Sequence, residues 1–243
     1  MNKKEIASMI DQTLLSATAT KEQVSAFCKE AADFGFASVC INPVYVSLAH
    51  EILKGSATKV CTVIDFPLGA SSLQSKTDQA DIAITDGADE LDFVINMGFV
   101  KSHDWKSLTQ ELTVIIKSVK EASLFGSSDD EAPRGEVLTK LILETCYLSD
   151  EEIVESCKCA KEAGFDFVKT STGFAILKDK DGKLLPNGAT VHAVKLMRET
   201  VGQDMGVKAS GGVHNYTEAM AVIEAGANRI GASSGVEIVS GAE

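Results

Sequence analysis

EAGFDFVKTSTGF, residues 162–174, decides the fold. It closes an amphipathic run, turns on Gly164 and passes at once into the apolar FDFV before a lysine and a polar tail. A glycine just past a helical pattern ends the helix in a left-handed cap, and the next strand begins there. The same device recurs in DFGFASV (33–39), TDGADELDF (85–93) and EAGANRIG (224–231). A repeated helix–glycine–strand junction predicts strands that all run the same way.

Working outward, eight short apolar runs read as strands: Ile10–Leu15, Ala37–Asn42, Lys59–Asp65, Glu90–Asn96, Leu138–Glu144, Asp166–Ser171, Gly206–Ser210 and Asn228–Gly231. Between them lie amphipathic stretches at Lys21–Phe34, Tyr45–Leu53, Leu73–Asp86, Trp105–Ala122, Asp150–Ala163, Ala189–Val201 and Tyr216–Glu224, with a short last one at Ser233–Val239. Strands alternating with helices build parallel sheets, and eight such units favour a closed α/β barrel, a (β/α)8 TIM barrel, over an open sheet. All residues 1–243 are assigned to that one domain. Two segments break the rhythm. GSSDDEAPRG (126–135) precedes the fifth strand, so it belongs to the face opposite the expected site. AILKDKDGKLLPN (175–187) follows the sixth, on the catalytic face, and its Asp181-Gly182 suits a small hairpin, with a plain exposed insertion as the alternative.

The net charge of −12 argues against nucleic-acid or anionic-membrane partners, which need a basic face. A small phosphorylated substrate stays compatible, since backbone dipoles and a few lysines can bind an anion. The six cysteines have no framework spacing and read as reduced thiols, and the polar opening MNKKEIASMI is no leader, so a cytoplasmic protein without a membrane span is expected. The four histidines are scattered, and neither they nor Cys157-Lys-Cys159 has metal-ligand spacing, so no metal site is expected.

Three lysines stand where a barrel strand usually keeps valine or isoleucine: Lys140 in LTKLILE, Lys169 in FDFVKTS and Lys208 in GVKAS. A buried ammonium is costly, and a lysine held neutral is a nucleophile. If Lys169 points inward, alternation puts Phe167 and Ser171 inward too, and the matching sets are Asp92, Val94 and Asn96; Lys140, Ile142 and Glu144; and Cys40 with Asn42. A free lysine has a pKa of about 10.4, so only about one in a thousand is neutral at pH 7. A second ammonium about 6 Å away disfavours the charge by roughly 2.8 kcal/mol, or about two pKa units, and burial adds to that. Lys169 and Lys208, on adjacent strands, are the expected pair. The alternative is a structural salt-bridge network joining Asp92, Glu144 and the lysines. Gly211-Gly212 and GASSG (231–235) follow the last two strands, the usual phosphate site of this barrel, with Gly173 as a third wall. Asp11 and Thr13 end the first strand and either line the mouth or cap the next turn.

At these residues the chain resembles the deoxyribose-phosphate aldolase family of class I, Schiff-base aldolases. IDQTLL (10–15), SVCINP (38–43), VIDFPLG (63–69), GADELDFVINMG (87–98), TKLILET (139–145), FVKTSTGF (167–174), VKASGGV (207–213) and RIGASSGV (229–236) carry the resemblance nearly end to end. It implies that Lys169 forms the Schiff base, that Lys208 lies beside it, and that Asp92 takes part in proton transfer. It places Lys140, Thr170 and Cys40 in the active site and Gly173, Gly211, Gly212, Gly231, Ser233 and Ser234 on the phosphate-binding loops. No cofactor or metal is implied, and a homodimer is the expected assembly. Gln12 stands where many members have histidine, Asp65 where glycine is common, and His214 where arginine is common. The rivals are another Schiff-base aldolase for a phosphorylated sugar and a non-catalytic sugar-phosphate-binding barrel.

Overall fold

Eight parallel strands close on themselves in the computed structural model, which describes residues 1–125 and 135–242. They are β1 (Ile10–Leu14), β2 (Ser38–Ile41), β3 (Lys59–Ile64), β4 (Glu90–Val94), β5 (Leu138–Ile142), β6 (Phe167–Lys169), β7 (Gly206–Ser210) and β8 (Arg229–Ala232). Each pairs in parallel with its sequence neighbours, and β8 returns to β1 with Ile230 opposite Ile10. The expected (β/α)8 barrel is the observed one.

The helices are α1 (Lys3–Ala7), α2 (Lys21–Phe34), α3 (Val46–Leu53), α4 (Leu73–Asp86), α5 (Met97–Lys101), α6 (Trp105–Phe125), α7 (Asp150–Ala163), α8 (Val191–Val201), α9 (Tyr216–Glu224) and α10 (Gly235–Ser240). Side-chain oxygens of Thr20 and Ser149 accept the third-residue N–H groups of α2 and α7, closing capping boxes with Gln23 and Glu152. Gly35, Gly87 and Gly164 end α2, α4 and α7 in the left-handed region. At the fourth junction Ala225 caps α9 and Gly226 follows at φ 115°. This device fixes where each return strand starts.

Alternation then sorts the strand residues. Val39, Ile41, Phe93, Leu141, Val168 and Val207 face the helices and form the main apolar layer. Burying each contributes roughly 1.5–3 kcal/mol. A smaller cluster, Leu15, Cys40, Cys61 and Val63, lies apart from it, and the charged side chains share the barrel's interior.

The strands are shorter at their C-terminal ends than the apolar runs suggest. Asn42 and Asn96 leave the ladder to start helical turns, and Asp65 and Glu144 both turn at φ 54°. Asn96 is therefore not an inward residue: it caps α5, and its amide donates to Glu111 of α6 at 3.3 Å. Helices α1 and α5 are additions to the expected set. Residues 126–134 of the polar segment lie outside the described residues. The 175–187 insertion does form a hairpin, with Leu177–Lys178 antiparallel to Leu184–Leu185 and the Asp179 carboxylate accepting the N–H groups of Asp181 and Lys183.

Asp65 occupies a left-handed position that glycine would take without strain. Hydrogen bonds offset that strain. Its carboxylate accepts the Ser71 N–H at 3.0 Å and the Ser71 hydroxyl at 2.5 Å, and the buried ammonium of Lys76 lies 3.5 Å away, itself 2.7 Å from Glu111.

Candidate active site

Register builds the site. Asp92 on β4 is opposite Lys140 on β5, and Lys169 on β6 is opposite Lys208 on β7. Inward alternation points all four side chains at one another. Asp92 accepts Lys140 on Oδ1 at 2.8 Å, and it accepts both Lys169 and Lys208 on Oδ2, each at 2.8 Å. Below them, Lys208 Nζ lies 2.5 Å from Asp11 Oδ2, and Lys140 Nζ lies 2.6 Å from Glu90 Oε2. Arg229 closes the far side, donating to Asp11 and to Glu90.

Lys169 and Lys208 are neighbours as expected, and both donate to one oxygen, Asp92 Oδ2, a shared counter-charge that the pair of lysines alone does not predict. The salt-bridge alternative is corrected. Its carboxylates are Asp11, Glu90 and Asp92, and Glu144 is not among them. Glu144 instead accepts the Thr172 N–H at 3.2 Å and the Thr172 hydroxyl. Among the described residues the network holds four cations (Lys140, Lys169, Lys208, Arg229) against three carboxylates. Lys140, Lys208 and Arg229 each pair with at least two carboxylates. Lys169 has Asp92 alone, and Asp92 is shared with two others.

Burial works against charge here, yet at Asp92, Asp11 and Lys208 the partners outweigh it. For Asp92 the three lysines overcome desolvation and hold the carboxyl well below the usual range. For Asp11, Lys208 and Arg229 do the same. For Lys208, Asp11 and Asp92 more than offset desolvation, so its ammonium is held well above the usual lysine range. Glu144 differs: burial is opposed by Thr172 and Lys169 without being outweighed, and its carboxyl is raised.

The depressed carboxyls set a pH dependence. Their stabilisation is complete above the unfolded value of about 3.8 and is lost as pH falls from there towards the folded values. Below pH about 3.8 the unfolding free energy should therefore fall by up to about 2.7 kcal/mol per pH unit, from two protons. Lys140→Met, which removes a cation from both groups, should show a smaller total loss in acid. Urea melts between pH 2 and 5 measure it, and an equal loss in both proteins would contradict it.

A cavity of about 130 Å3 opens above the network, lined by Thr13, Lys169, Thr172, Gly211, Gly212 and His214 among others. Gly231 and Ser233 also line it. Lys169 is the network amine that reaches it; Lys140 and Lys208 are fully buried. The consecutive glycines at 211 and 212 take φ 80° and 74°, which turns the backbone around the cavity rim. Gly188 packs against this turn so closely that a Cβ there would stand 2.3 Å from the Gly211 carbonyl oxygen.

The remaining expected site residues fall elsewhere. Asp11, Cys40 and Lys140 are fully buried beneath the cavity and do not form its wall. Asp11 accordingly neither lines the mouth nor caps a turn, whereas Thr13 does line the cavity. Thr170 follows the inward Lys169 and so points away. Its hydroxyl donates to the Ser210 carbonyl at 3.1 Å and accepts the Ser210 N–H at 3.0 Å, strapping β6 to β7. Thr172 holds the wall position instead. Gly173 adjoins the Gly211 turn, and Ser234 is the residue before α10. The Gly235 N–H of α10 is taken by the buried Gln12 side chain at 3.0 Å.

Cys40, Cys61 and Asp92 bring three ligating atoms within 4.8 Å of one another. The spot is already served by cations, with Lys140 Nζ 3.4 Å from Cys61 Sγ and both Asp92 oxygens held by ammonium groups. No helix among the described residues is long and apolar enough to cross a membrane.

Sequence alternation could have found two residues it was not used for. Glu90 shares the parity of Asp92, and Arg229 that of Gly231. Thr172 lies past the strand end, where alternation no longer applies.

Residues 6–241 match the family described as DeoC/LacD family aldolase. A deoxyribose-phosphate aldolase of Caldanaerobacter subterraneus subsp. tengcongensis is 51% identical over 96% of this chain and 92% of its own length. One from Thermococcus kodakarensis is 49% identical over 100% of this chain and 99% of its own. Among solved structures, the tetrameric deoxyribose phosphate aldolase of Aeropyrum pernix superposes with a TM-score of 0.83 at 32% identity, covering 98% of this chain and 91% of that one.

Proposed function

This chain belongs to the DeoC/LacD family of aldolases, and from that membership we propose that it reversibly cleaves 2-deoxy-D-ribose 5-phosphate to D-glyceraldehyde 3-phosphate and acetaldehyde through a Schiff base on Lys169. The observation that carries the reading is that two lysines share one oxygen of Asp92 and only Lys169 reaches the cavity. The ~50% identity to curated deoxyribose-phosphate aldolases along nearly the whole chain supports the substrate.

Neutral Lys169 attacks the C1 aldehyde, and loss of water leaves an iminium. A base takes the C3 hydroxyl proton, a role we assign to Asp92 acting through Lys208 or one water. The C2–C3 bond breaks, its electron pair moves into the iminium, and glyceraldehyde 3-phosphate leaves. The resulting enamine is protonated at C2, and water then releases acetaldehyde and the free amine. The iminium is the electron sink, so the step calls on no metal or organic cofactor.

The phosphate is assigned to the Gly211-Gly212 turn, Gly231 and Ser233, with Gly173 and Ser234 beside them and Thr13 and Thr172 as side walls. Backbone N–H groups at glycine turns suit an anion. Gly188→Ala should push this turn out of place. We expect KM for the phosphorylated sugar to rise roughly tenfold while acetaldehyde trapping on Lys169 is unchanged, because only the remote contact is disturbed. An unchanged KM would remove the phosphate from this turn. The rest of the reading is a cytoplasmic homodimer acting on a small phosphorylated sugar, with no nucleic-acid or membrane partner.

Borohydride reduction with 2-deoxyribose 5-phosphate, followed by peptide mass spectrometry, tests the whole. An adduct on Lys169 is expected. Binding of the sugar phosphate without any adduct would favour a non-catalytic barrel, and an adduct formed only with other phosphorylated sugars would favour a different Schiff-base aldolase.

A further inference from the structure

The charge network extends further from the cavity than the chemistry requires. Glu90 and Arg229 do not line the cavity, yet they hold each other at 2.9 Å and grip Lys140 and the Asp11 partner of Lys208. Arg229 binds Asp11, which binds Lys208; Glu90 binds Lys140. With every group ionised the network carries one positive charge too many. The surplus falls on Lys169, which has a single, shared ion-pair partner.

We infer that Glu90 and Arg229 are positioning residues that decide, through the charge balance of the barrel interior, how readily Lys169 gives up its proton. The inference rests on Lys169 being the Schiff-base amine. Other groups also face Lys169. Asp92 and Lys208 flank it, Lys140 lies across Asp92, and Glu144 and the Cys40 thiol are close enough to interact with it. Asp11 lies behind Lys208, and His214 lines the same cavity. Replacing Glu90 or Arg229 removes none of these groups and no direct partner of Lys169, so the two variants act on it only through the network.

The balance gives opposite signs. Glu90→Gln removes a negative charge, so the interior stays positive after Lys169 is neutral, and the amine becomes free at lower pH. Arg229→Met removes a positive charge, so neutralising Lys169 leaves a net negative interior, and the proton is held to higher pH. The double variant restores the original surplus of one. Counted as a unit charge about 10 Å from the amine at an effective dielectric near 20, each single change should move the curve by about one pH unit.

The experiment is the rate of borohydride-trapped acetaldehyde adduct on Lys169 as a function of pH, in the full-length wild type, Glu90→Gln, Arg229→Met and the double variant. Acetaldehyde has no phosphate, so the phosphate site does not enter. The acid limb should move down in Glu90→Gln, up in Arg229→Met, and return to within a few tenths of a unit of wild type in the double variant. Lower rates with unmoved limbs, or limbs that move the same way, would overturn the inference while leaving the Schiff base standing. Absence of any Lys169 adduct in wild type would instead overturn the proposed function. Circular dichroism melts identify variants that fail to fold; if one single variant does, the direction in which the other single variant moves the limb still decides.

Discussion

Lys169→Leu should abolish the trapped adduct and lower kcat/KM by at least about 10,000-fold, since covalent catalysis is lost together with the electron sink it creates. The substitution should leave the fold intact. Removing Lys169 leaves three cations against three carboxylates, and Asp92 keeps Lys140 and Lys208 as partners. Its melting temperature should match or exceed that of wild type. Lys208→Leu makes an instructive contrast. It also balances the network, but with Lys169 still present and now better held as an ammonium. A slow adduct should therefore form, with its pH optimum moved upward. An adduct on another lysine in Lys169→Leu, found by peptide mapping, would displace Lys169 from the centre of the mechanism.

Asp92→Asn should damage both stability and rate, which distinguishes it from Lys169→Leu. Three ammonium groups lie within 2.8 Å of this one carboxylate, and it is fully buried. Breaking a buried ion pair from one side leaves uncompensated charge and costs about 3–5 kcal/mol. Here the interior surplus rises from one positive charge to two. Lys169 should relieve it by losing its proton, so the adduct should form at lower pH than in wild type. Turnover should nonetheless fall by about 100- to 10,000-fold, because the amide cannot accept the C3 hydroxyl proton. Urea denaturation and the ratio of adduct formation to turnover measure the two parts. A variant with wild-type turnover would exclude Asp92 from proton transfer.

Much of this was legible in the sequence. The repeated glycine junctions located the strand starts, and the eight strand–helix units specified barrel closure. Period-two alternation brought Lys140, Lys169, Lys208 and Asp92 to one interior because β4 to β7 are regular there. What alternation could not supply is depth. Asp11, Cys40 and Lys140 share the inward parity of the wall residues but sit lower on tilted, staggered strands, and stagger is a property of the closed sheet. The strand ends were also hidden. Asp65 and Glu144 turn left-handed without being glycine, and their cost is met by partners distant in sequence, Ser71 with Lys76 and Thr172. The resemblance places Thr170 in the active site, although the strand sends its side chain outward to Ser210.

The single unmatched cation beneath the cavity has a consequence for the reaction coordinate. Once formed, the protonated imine sits on the nitrogen of Lys169 and bears the same unit charge that the resting ammonium bore. The interior therefore meets no unfamiliar charge at that stage, and its dipoles need not reorganise to receive it. When carbon–carbon scission neutralises the nitrogen, the interior reaches the same balance it has when the free amine stands ready to attack. Turnover thus alternates between two electrostatic conditions that the folded chain already occupies before any sugar arrives.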